Sequence, residues 1–550
     1  MHGPEAPLSK NRWTIPERWI ERASRSWTQR AADADQPPPG ADASSGDASA
    51  ADAWSSASAR EAAGRWREAA GDWASSVRSA TETLAERAAA MVAPSLRIGV
   101  TGLSRSGKTV FLTALVHNLV HGGRLPVFRP YADGRLRTAA LEPQPDDAVP
   151  RFAYEDHVHA LVEERVWPES TRRISQLRVT IDYESARPMK HRLGPSRLHL
   201  DIVDYPGEWL LDLPLLNKDY ATWARESLAE ARKPRRLKQS AHWLKVQGAT
   251  DPNAPAREQT ARELAAAFTE YLEAVRGDPD TLASLPPGRF LMPGDLEGSP
   301  ALTFAPLDRT GNGAADGSLW AMMERRYESY KAHVVKPFLR DHFARLDRQI
   351  VLVDALSALN GGPEAVAELQ HALAEVLGCF RTGRLSRLAA LFDRRIEKVL
   401  FAATKADHIH HSDHDRLEAV LRSLVDRAMG TAATSGAAID VAAIAAVRAT
   451  REANVRRDGE MLPAIVGTPL PGERLNGTVF DGSKEIALFP GDLPADPAEI
   501  FAHPPEHQYG VSYLRFRPPA IERSNTGTLL SLPHIRLDRA LNFLIGDRLQ

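Results

Sequence analysis

Only one cysteine, Cys379, occurs among the 550 residues. That excludes a disulfide framework and any Cys-based zinc or iron–sulfur centre, and it fits a reducing compartment. Long hydrophobic runs are also missing. The best candidates, such as Ile439 to Val447, fall well short of the ~20 apolar residues a membrane-spanning helix needs, and the charged, tryptophan-bearing start lacks the uninterrupted apolar core of a secretory leader. The expected location is cytoplasmic. Nor is there an excess of one charge: 69 Lys and Arg stand against 71 Asp and Glu, a formal net charge of -2. With no bulk positive field to gather polyanions, nucleic acid is not expected as a partner. GxSxG and HExxH patterns are absent, which removes the hydrolase-elbow and zinc-protease readings.

What remains is an ordinary globular composition, 43% hydrophobic and 25% charged, long enough at roughly 100–200 residues per domain for three or four domains. The composition changes near Pro94. Before it lie a Pro-Pro-Pro-Gly break at Pro37 to Gly40 and a low-complexity stretch from Ala41 to Ser58, which cannot bury enough apolar surface to offset its chain entropy. Six of the eleven tryptophans also fall there: Trp13, Trp19, Trp27, Trp54, Trp66 and Trp73. Between Trp13 and Arg30 aromatics alternate with Arg18, Arg22 and Arg25, a composition suited to a membrane headgroup region, a partner groove or the protein's own core. Residues 1–93 are thus expected to be a partly disordered, partly helical extension with peripheral membrane contact as one role.

From Leu96 the pattern is α/β. Strands are expected at Leu96 to Val100, Gln176 to Tyr183, Arg197 to Asp204, Gln349 to Asp354 and Lys398 to Ala403. Helices are expected at Lys108 to Val120, Gly362 to Gly378 and Arg384 to Glu397, giving the βαβ rhythm of a mostly parallel sheet. Between Leu210 and Arg348 the strand signals stop. Leu264, Phe268, Tyr271, Leu272 and Val275 recur there at helical spacing, and Leu319 to Leu346 reads as a long helix bent near Pro337. Short β-like runs fill Pro463 to Pro518, and an amphipathic helix is expected at Leu537 to Leu549.

Four strand ends carry chemistry. The run Gly102 to Thr109 reads GLSRSGKT, a GxxxxGKT between a strand and a helix. Its glycines, Gly102 and Gly107, let backbone N–H groups of Ser104, Arg105, Ser106 and onward to Val110 wrap phosphates, Lys108 bridges the β- and γ-phosphates, and Thr109 ligates Mg²⁺. The second run ends its strand on Asp204 and continues to Gly207, a DxxG in which the carboxylate can hold Mg²⁺ and the Gly207 N–H can meet the γ-phosphate. The third, Thr404-Lys405-Ala406-Asp407, is TKxD. Asp407 can accept from both N1–H and the exocyclic amine of guanine, which adenine does not offer in that geometry, while Lys405 lays its stem over the purine. The fourth is the strand-like run from Ala442 into a small-residue loop, where the amides of Ala446 and Val447 reach guanine O6. Each motif alone also has a plain reading as a turn or as packing.

Their order resembles the Ras-like GTPases. The words GLSRSGKTVFLTALVHNL, WPEST, DYPGEWLLDLPLL and TKADH resemble the YcjX-like family of bacterial P-loop GTPases, associated with stress regulons, over Leu96 to the C-terminus. The resemblance implies a Ras-like P-loop α/β fold binding GTP or GDP with Mg²⁺, and a helical insertion after the second switch. It also makes Thr171 of WPEST the switch threonine that closes on Mg²⁺, with Thr180 as competitor. Two departures matter: Glu208 follows Gly207 where small GTPases commonly place glutamine, and Thr404 replaces the usual asparagine. Lys108, Glu208 and Arg105 are the candidate catalytic residues; Arg165, Arg172 and Arg173 are the other arginines within reach.

The expected division is an extension (1–93), a G domain in pieces (94–210, 348–449 and 534–550), a helical insertion (211–347) and an irregular β-containing insert (450–533). The expected activity is Mg²⁺-dependent hydrolysis of GTP by a switch protein with an unidentified protein effector or activator. The alternatives are a nucleotide-binding scaffold with little turnover, motivated by Glu208, or a P-loop ATPase, which leaves TKxD unexplained. The clustered His408, His410, His411, Asp413, His414 and Asp415 show no fixed ligand spacing and read as a solvated loop. The basic run Arg232 to Lys238 reads as a solvent face.

Overall fold

Alternation in the first strand decides where the sheet is covered. In β1 (Ser95–Gly102), Leu96, Ile98 and Val100 point to one face and are buried, and from Ile98 onward the strand is buried on both faces. This belongs to a computed structural model that describes residues 94–550 except 103–105, 170–172, 189–193, 279–284, 309–314, 381–395, 430–436, 458–459, 476, 503–512 and 522–530. The tryptophan-rich extension lies outside the described residues, as does most of the helix expected at Arg384 to Glu397.

The chain continues through α1 (Lys108–Val120), β2 (Leu136–Glu142), α2 (Tyr154–His159), β3 (Ser175–Tyr183) and β4 (Ser196–Asp204). After a long helical stretch come β5 (Arg348–Val353), two helices, β6 (Lys398–Ala403), another helix and β7 (Ala438–Ala443). The sheet order is β2-β3-β4-β1-β5-β6-β7. β1 pairs in parallel with β4 and β5, and β5, β6 and β7 are parallel to one another. β3 runs antiparallel to both β4 and β2. β2 is a strand the sequence reading missed; all seven of its residues are at least partly exposed, in an alternation too weak to register. The seventh strand was expected from Ala442 onward but spans Ala438–Ala443, because Ile444 leaves the ladder and Ala445 instead bridges to Ile535.

Helices cover both faces. On one, α1 contributes Phe111, Leu115 and Leu119 against Ile98, Val100, Leu200 and Ile350, joined by Leu541 and Leu544. On the other, Val351, Val353, Phe401 and Val441 meet Leu369, Leu373, Leu417 and Leu421. At about 1.5–3 kcal/mol for each fully buried aliphatic side chain, these two layers dominate the stability of the sheet. That burial pattern is why the parallel strands read as nearly continuous apolar runs.

Among the described residues no strand occurs between β4 and β5. A 3₁₀ segment, Gly207–Asn217, leads into α3 (Tyr220–Ala231), α4 (Leu237–Gly248) and α5 (Glu258–Gly277). Their core is aromatic: Trp223 stacks on Tyr327 at 5.0 Å, and Trp243 on Tyr271 at 5.2 Å. The bent helix expected from Leu319 to Leu346 is α6 (Leu319–Tyr330), a π-turn at Lys331–Val335 and α7 (Lys336–Asp341). Pro337 has no N–H to complete the α-ladder, and the wide turn just before it absorbs that interruption.

Past β5 lie α8 (Ala355–Asn360) and α9 (Gly362–Phe380), and past β6 lies α10 (His414–Met429). Beyond β7, the antiparallel pair β8 (Arg451–Arg457) and β9 (Glu460–Gly467) is extended by a short strand, Ile486–Leu488. The last helix, α11 (Leu537–Ile545), stops before the expected Leu549, with Gly546 at its C-cap. Among the described residues no helix is long and apolar enough to cross a membrane.

Candidate functional site

The registers bring four strand ends to one edge of the sheet. Val100 lies opposite Asp204, Gly102 opposite Leu352, and Ala403 opposite both Val353 and Ala443. In an open parallel sheet that edge is where ligands bind.

At the end of β1, Gly107 takes the left-handed conformation (φ +79°), and a Cβ there would meet nothing within 4 Å. α1 begins directly after it with no side-chain cap and no acidic residue in its first turn. Its N-terminal N–H groups and partial positive charge are therefore available to an anion. Ser106 is buried beside Gly102, where a Cβ would fall 2.0 Å from Ser106 Oγ. Ser104 and Arg105 lie outside the described residues, and Val110 forms part of the first turn of α1.

Lys108 Nζ reaches Asp204 Oδ1 at 2.5 Å, joining the first motif to the second. Asp204 is only 1% exposed, and its other oxygen, Oδ2, has no hydrogen-bond partner among the described residues. An unpaired buried carboxylate oxygen is costly unless something satisfies it. Thr109 Oγ1 donates to the Glu169 carbonyl at 3.2 Å. The Thr109 hydroxyl and the Asp204 carboxylate are hard oxygen donors of the kind Mg²⁺ takes, so the residues present fit that ion.

Gly207 packs against the same loop. A Cβ on it would lie 2.0 Å from the Gly102 carbonyl oxygen and 3.3 Å from Thr101 Oγ1, so only glycine allows this approach. The 3₁₀ segment it starts is fastened to the helical stretch. Glu208 Oε1 pairs with Arg276 Nε of α5 at 3.2 Å, Trp209 lies under the Arg289 guanidinium at 3.2 Å, and Asp212 accepts from Gly288 N at 2.7 Å and from Tyr330 OH at 2.6 Å. Burial raises the Asp212 carboxyl to about 6 despite those two hydrogen bonds. Glu208 is thus held by an arginine that the sequence reading did not consider.

At the end of β6, Lys405 is left-handed (φ +61°), and Ala406 N donates to the Ile444 carbonyl beyond β7. Asp407 is buried; its Oδ2 accepts from Ala449 N at 2.9 Å, and its carbonyl accepts from the Thr450 hydroxyl. Thr404 Oγ1 reaches the Val353 carbonyl at 3.4 Å, bracing the turn onto β5 without a side-chain amide. Lys405 Nζ pairs with Asp354, the residue that follows β5 and caps α8. Burial alone would raise the Asp354 carboxyl, but Lys405 and two bonds from Ser357 hold it below the usual carboxylate range. The sequence reading passed over Asp354, although an acid closing a buried strand at the site edge was signal enough. Ala446 and Val447 follow β7. The flanking amides of Ala445 and Arg448 bond Ile535 and Pro533, whereas among the described residues the Ala446 and Val447 N–H groups have no partner.

Thr171 and Arg172 lie outside the described residues, and Arg173 is exposed. Thr180 sits inside β3 with its hydroxyl 2.8 Å from His199 Nδ1. The chain approaching Thr171 is anchored from the far end of the sequence: Arg165 Nε donates to the Pro518 carbonyl at 3.1 Å, and Trp167 Nε1 to the Phe516 carbonyl at 2.7 Å. Arg165 is therefore engaged by the Pro518 carbonyl. The Phe516 ring in turn packs edge-on to His408, 5.5 Å away and next to Asp407.

Sheet order, helices on both faces and motif-bearing loops along one edge define a Ras-like α/β fold. The chain belongs to the YcjX-like family (DUF463), which it matches over residues 96–549. It is similar to the protein named Ras-like GTPase YcjX of Escherichia coli (strain K12), with 39% identity over 468 residues covering 83% of this chain and 96% of that one. The protein of the same name from Shewanella oneidensis is 34% identical over 484 residues, covering 83% of this chain and 95% of its own.

Proposed function

We propose that this chain binds guanine nucleotide with Mg²⁺ and hydrolyses GTP to GDP and phosphate, using the Gly207–Asn217 segment as a nucleotide-controlled switch. The observation that carries the reading is the Lys108–Asp204 pair at the head of an uncapped helix, with Asp204 Oδ2 unpartnered among the described residues. Phosphates seated on the loop from Gly102 through Val110 would draw Lys108 to the β- and γ-oxygens. Thr109, Asp204 and Thr171 would hold Mg²⁺, which supplies charge neutralisation across the phosphates. Asp407, fixed by Ala449 and Thr450, would read N1–H and the exocyclic amine of guanine. The stem of Lys405 and the amides of Ala446 and Val447 complete the base pocket. Arg105 is the candidate for stabilising charge on the transferred phosphoryl group. Family resemblance supports a place in a stress response and a protein effector or activator. The division at residues 211–347 and 450–533 is part of the same proposal, the helical stretch being the element that follows the switch. The N-terminal extension is proposed as a peripheral contact at the inner face of the membrane, tested by flotation of the full chain on anionic vesicles against a chain starting at Pro94; identical behaviour would remove it.

A second reading has a specific observation in its favour. Glu208 pairs with Arg276, and while that pair holds, the residue after Gly207 is not available to orient water; a nucleotide-occupied scaffold with slow turnover would look the same. Phosphate release by the full chain separates the two. Turnover lost in Lys108→Ala supports the enzyme, and equal release by both proteins assigns the activity to a contaminant.

A further inference from the structure

The loop that follows Asp407 holds more than solvated histidines. Four of the clustered residues are committed elsewhere: His414 Nε2 to the Ala406 carbonyl at 2.9 Å, Asp413 to Arg416, Asp415 to Arg536, and His408 to the edge of Phe516. The other two, His410 and His411, meet a residue no local spacing could reveal, Glu452 of β8. His410 Nε2, His411 Nδ1 and Glu452 Oε2 lie within 4.8 Å of one another.

We propose that these three atoms form a binding site for a divalent transition metal of the zinc class, clasping the loop after Asp407 onto β8. Two imidazole nitrogens and one carboxylate oxygen are the donor set of a three-ligand zinc site, with water completing the tetrahedron. With metal bonds of roughly 2.0–2.2 Å, neighbouring donors in a tetrahedron stand about 3.4 Å apart. Here Glu452 Oε2 is 2.6 Å from His411 Nδ1 and 3.9 Å from His410 Nε2, so movements of under about 1 Å in side chains with room to turn close the site.

The outer atoms are already held as second-shell partners hold ligands. Glu452 Oε1 accepts from Arg448 at 3.1 Å, which leaves Oε2 facing the histidines. His410 Nδ1 accepts from Ser412 N at 3.4 Å and lies 3.0 Å from Ser412 Oγ; metal binding takes the tautomer in which Nδ1 carries the proton and donates it to the hydroxyl, giving up the long Ser412 N contact and leaving Nε2 to ligate. His411 is exposed, so its proton can pass from Nδ1 to Nε2, where water accepts the new N–H. Because Glu452 stands two residues beyond Thr450, whose hydroxyl bonds the Asp407 carbonyl, an ion here ties the Asp407 turn to the β8–β9 sheet.

The test titrates the metal-stripped full chain with Zn²⁺ against a chromophoric chelator and repeats the titration with Co²⁺, whose visible absorption strengthens on tetrahedral coordination. One tight equivalent is expected in the wild type. Glu452→Gln should weaken it by at least ~10-fold, in the range seen when metal-site partners are removed, and His411→Ala should abolish the cobalt band. His411 is solvent-facing, so its replacement leaves the fold intact, and thermal melts check this. The exposed His242→Ala should change nothing. No tight equivalent in the wild type, or identical binding in His411→Ala and Glu452→Gln, overturns the proposal.

Discussion

Glu208 Oε1 lies 3.2 Å from Arg276 Nε, so the acid that follows Gly207 is committed to α5 of the helical stretch. If this pair restrains a latent general base, breaking it should raise the rate. Arg276→Ala is expected to increase single-turnover phosphate release by about 10-fold or more, a positioned base contributing ~10²–10⁴. Glu208→Gln alone should change little, and the double variant should lose the gain. An unchanged rate in Arg276→Ala would favour the scaffold reading.

The two glycines flanking the site should respond differently to the same substitution. Gly207→Ala drives a methyl group into the Gly102 carbonyl, and denaturant unfolding should show a loss of roughly 1–3 kcal/mol. Gly107→Ala meets no atom but must hold a left-handed backbone at about 1–2 kcal/mol. Its larger effect should be on nucleotide binding, because the methyl occupies the open cradle. Calorimetry and unfolding together distinguish these outcomes.

Lys108→Ala removes the only described partner of a buried carboxylate. Breaking such a pair can cost ~3–5 kcal/mol, so the variant should melt earlier than wild type, and Lys108→Ala with Asp204→Asn should recover part of the loss without recovering nucleotide binding. Full recovery of binding would show that Lys108 does not hold phosphate.

Asp212 sets a pH dependence. Its carboxyl is raised by burial from the ordinary 3.8 to about 6. A raised acid contributes stability that is fully present below its unfolded value and is lost as pH climbs through the folded one. The relevant window is pH 4 to 6, and the contribution is roughly 3 kcal/mol at 1.36 kcal/mol per unit. Asp212→Asn should flatten the unfolding free energy across that window. Tyr330 OH and Gly288 N both donate to Asp212 and favour its ionised form, so the dependence comes from burial of the charge and not from these bonds.

Sheet and site were legible to different extents. β1, α1 and β6 could be bounded almost to the residue because Leu96 to Val100, Lys108 to Val120 and Lys398 to Ala403 are locally periodic and end in glycine or turn residues. β2 was hidden, since Arg137, Thr138 and Glu142 dilute its alternation. The strand-end placement of Lys108, Asp204, Gly207 and Asp407 was readable because the proposed phosphate, metal and base contacts require particular residue types there. Their long-range partners were not: Arg276 with Glu208, Phe516 with Trp167, and Glu452 with His411 meet only after the chain has folded back across the sheet. No spacing rule encodes such encounters. The proline kink was correctly placed near Pro337, but its form, a π-turn over Lys331–Val335, is a backbone response that composition does not specify.

Isothermal calorimetry of the full chain with GDP and with ADP, both with Mg²⁺, tests the central claim most directly. The account predicts binding of GDP and an affinity for ADP weaker by ~10³-fold or more, since Asp407 is left unpaired by adenine, with that gap collapsing in Asp407→Ala. Equal affinities in the wild type, or a preference for ADP, would contradict it.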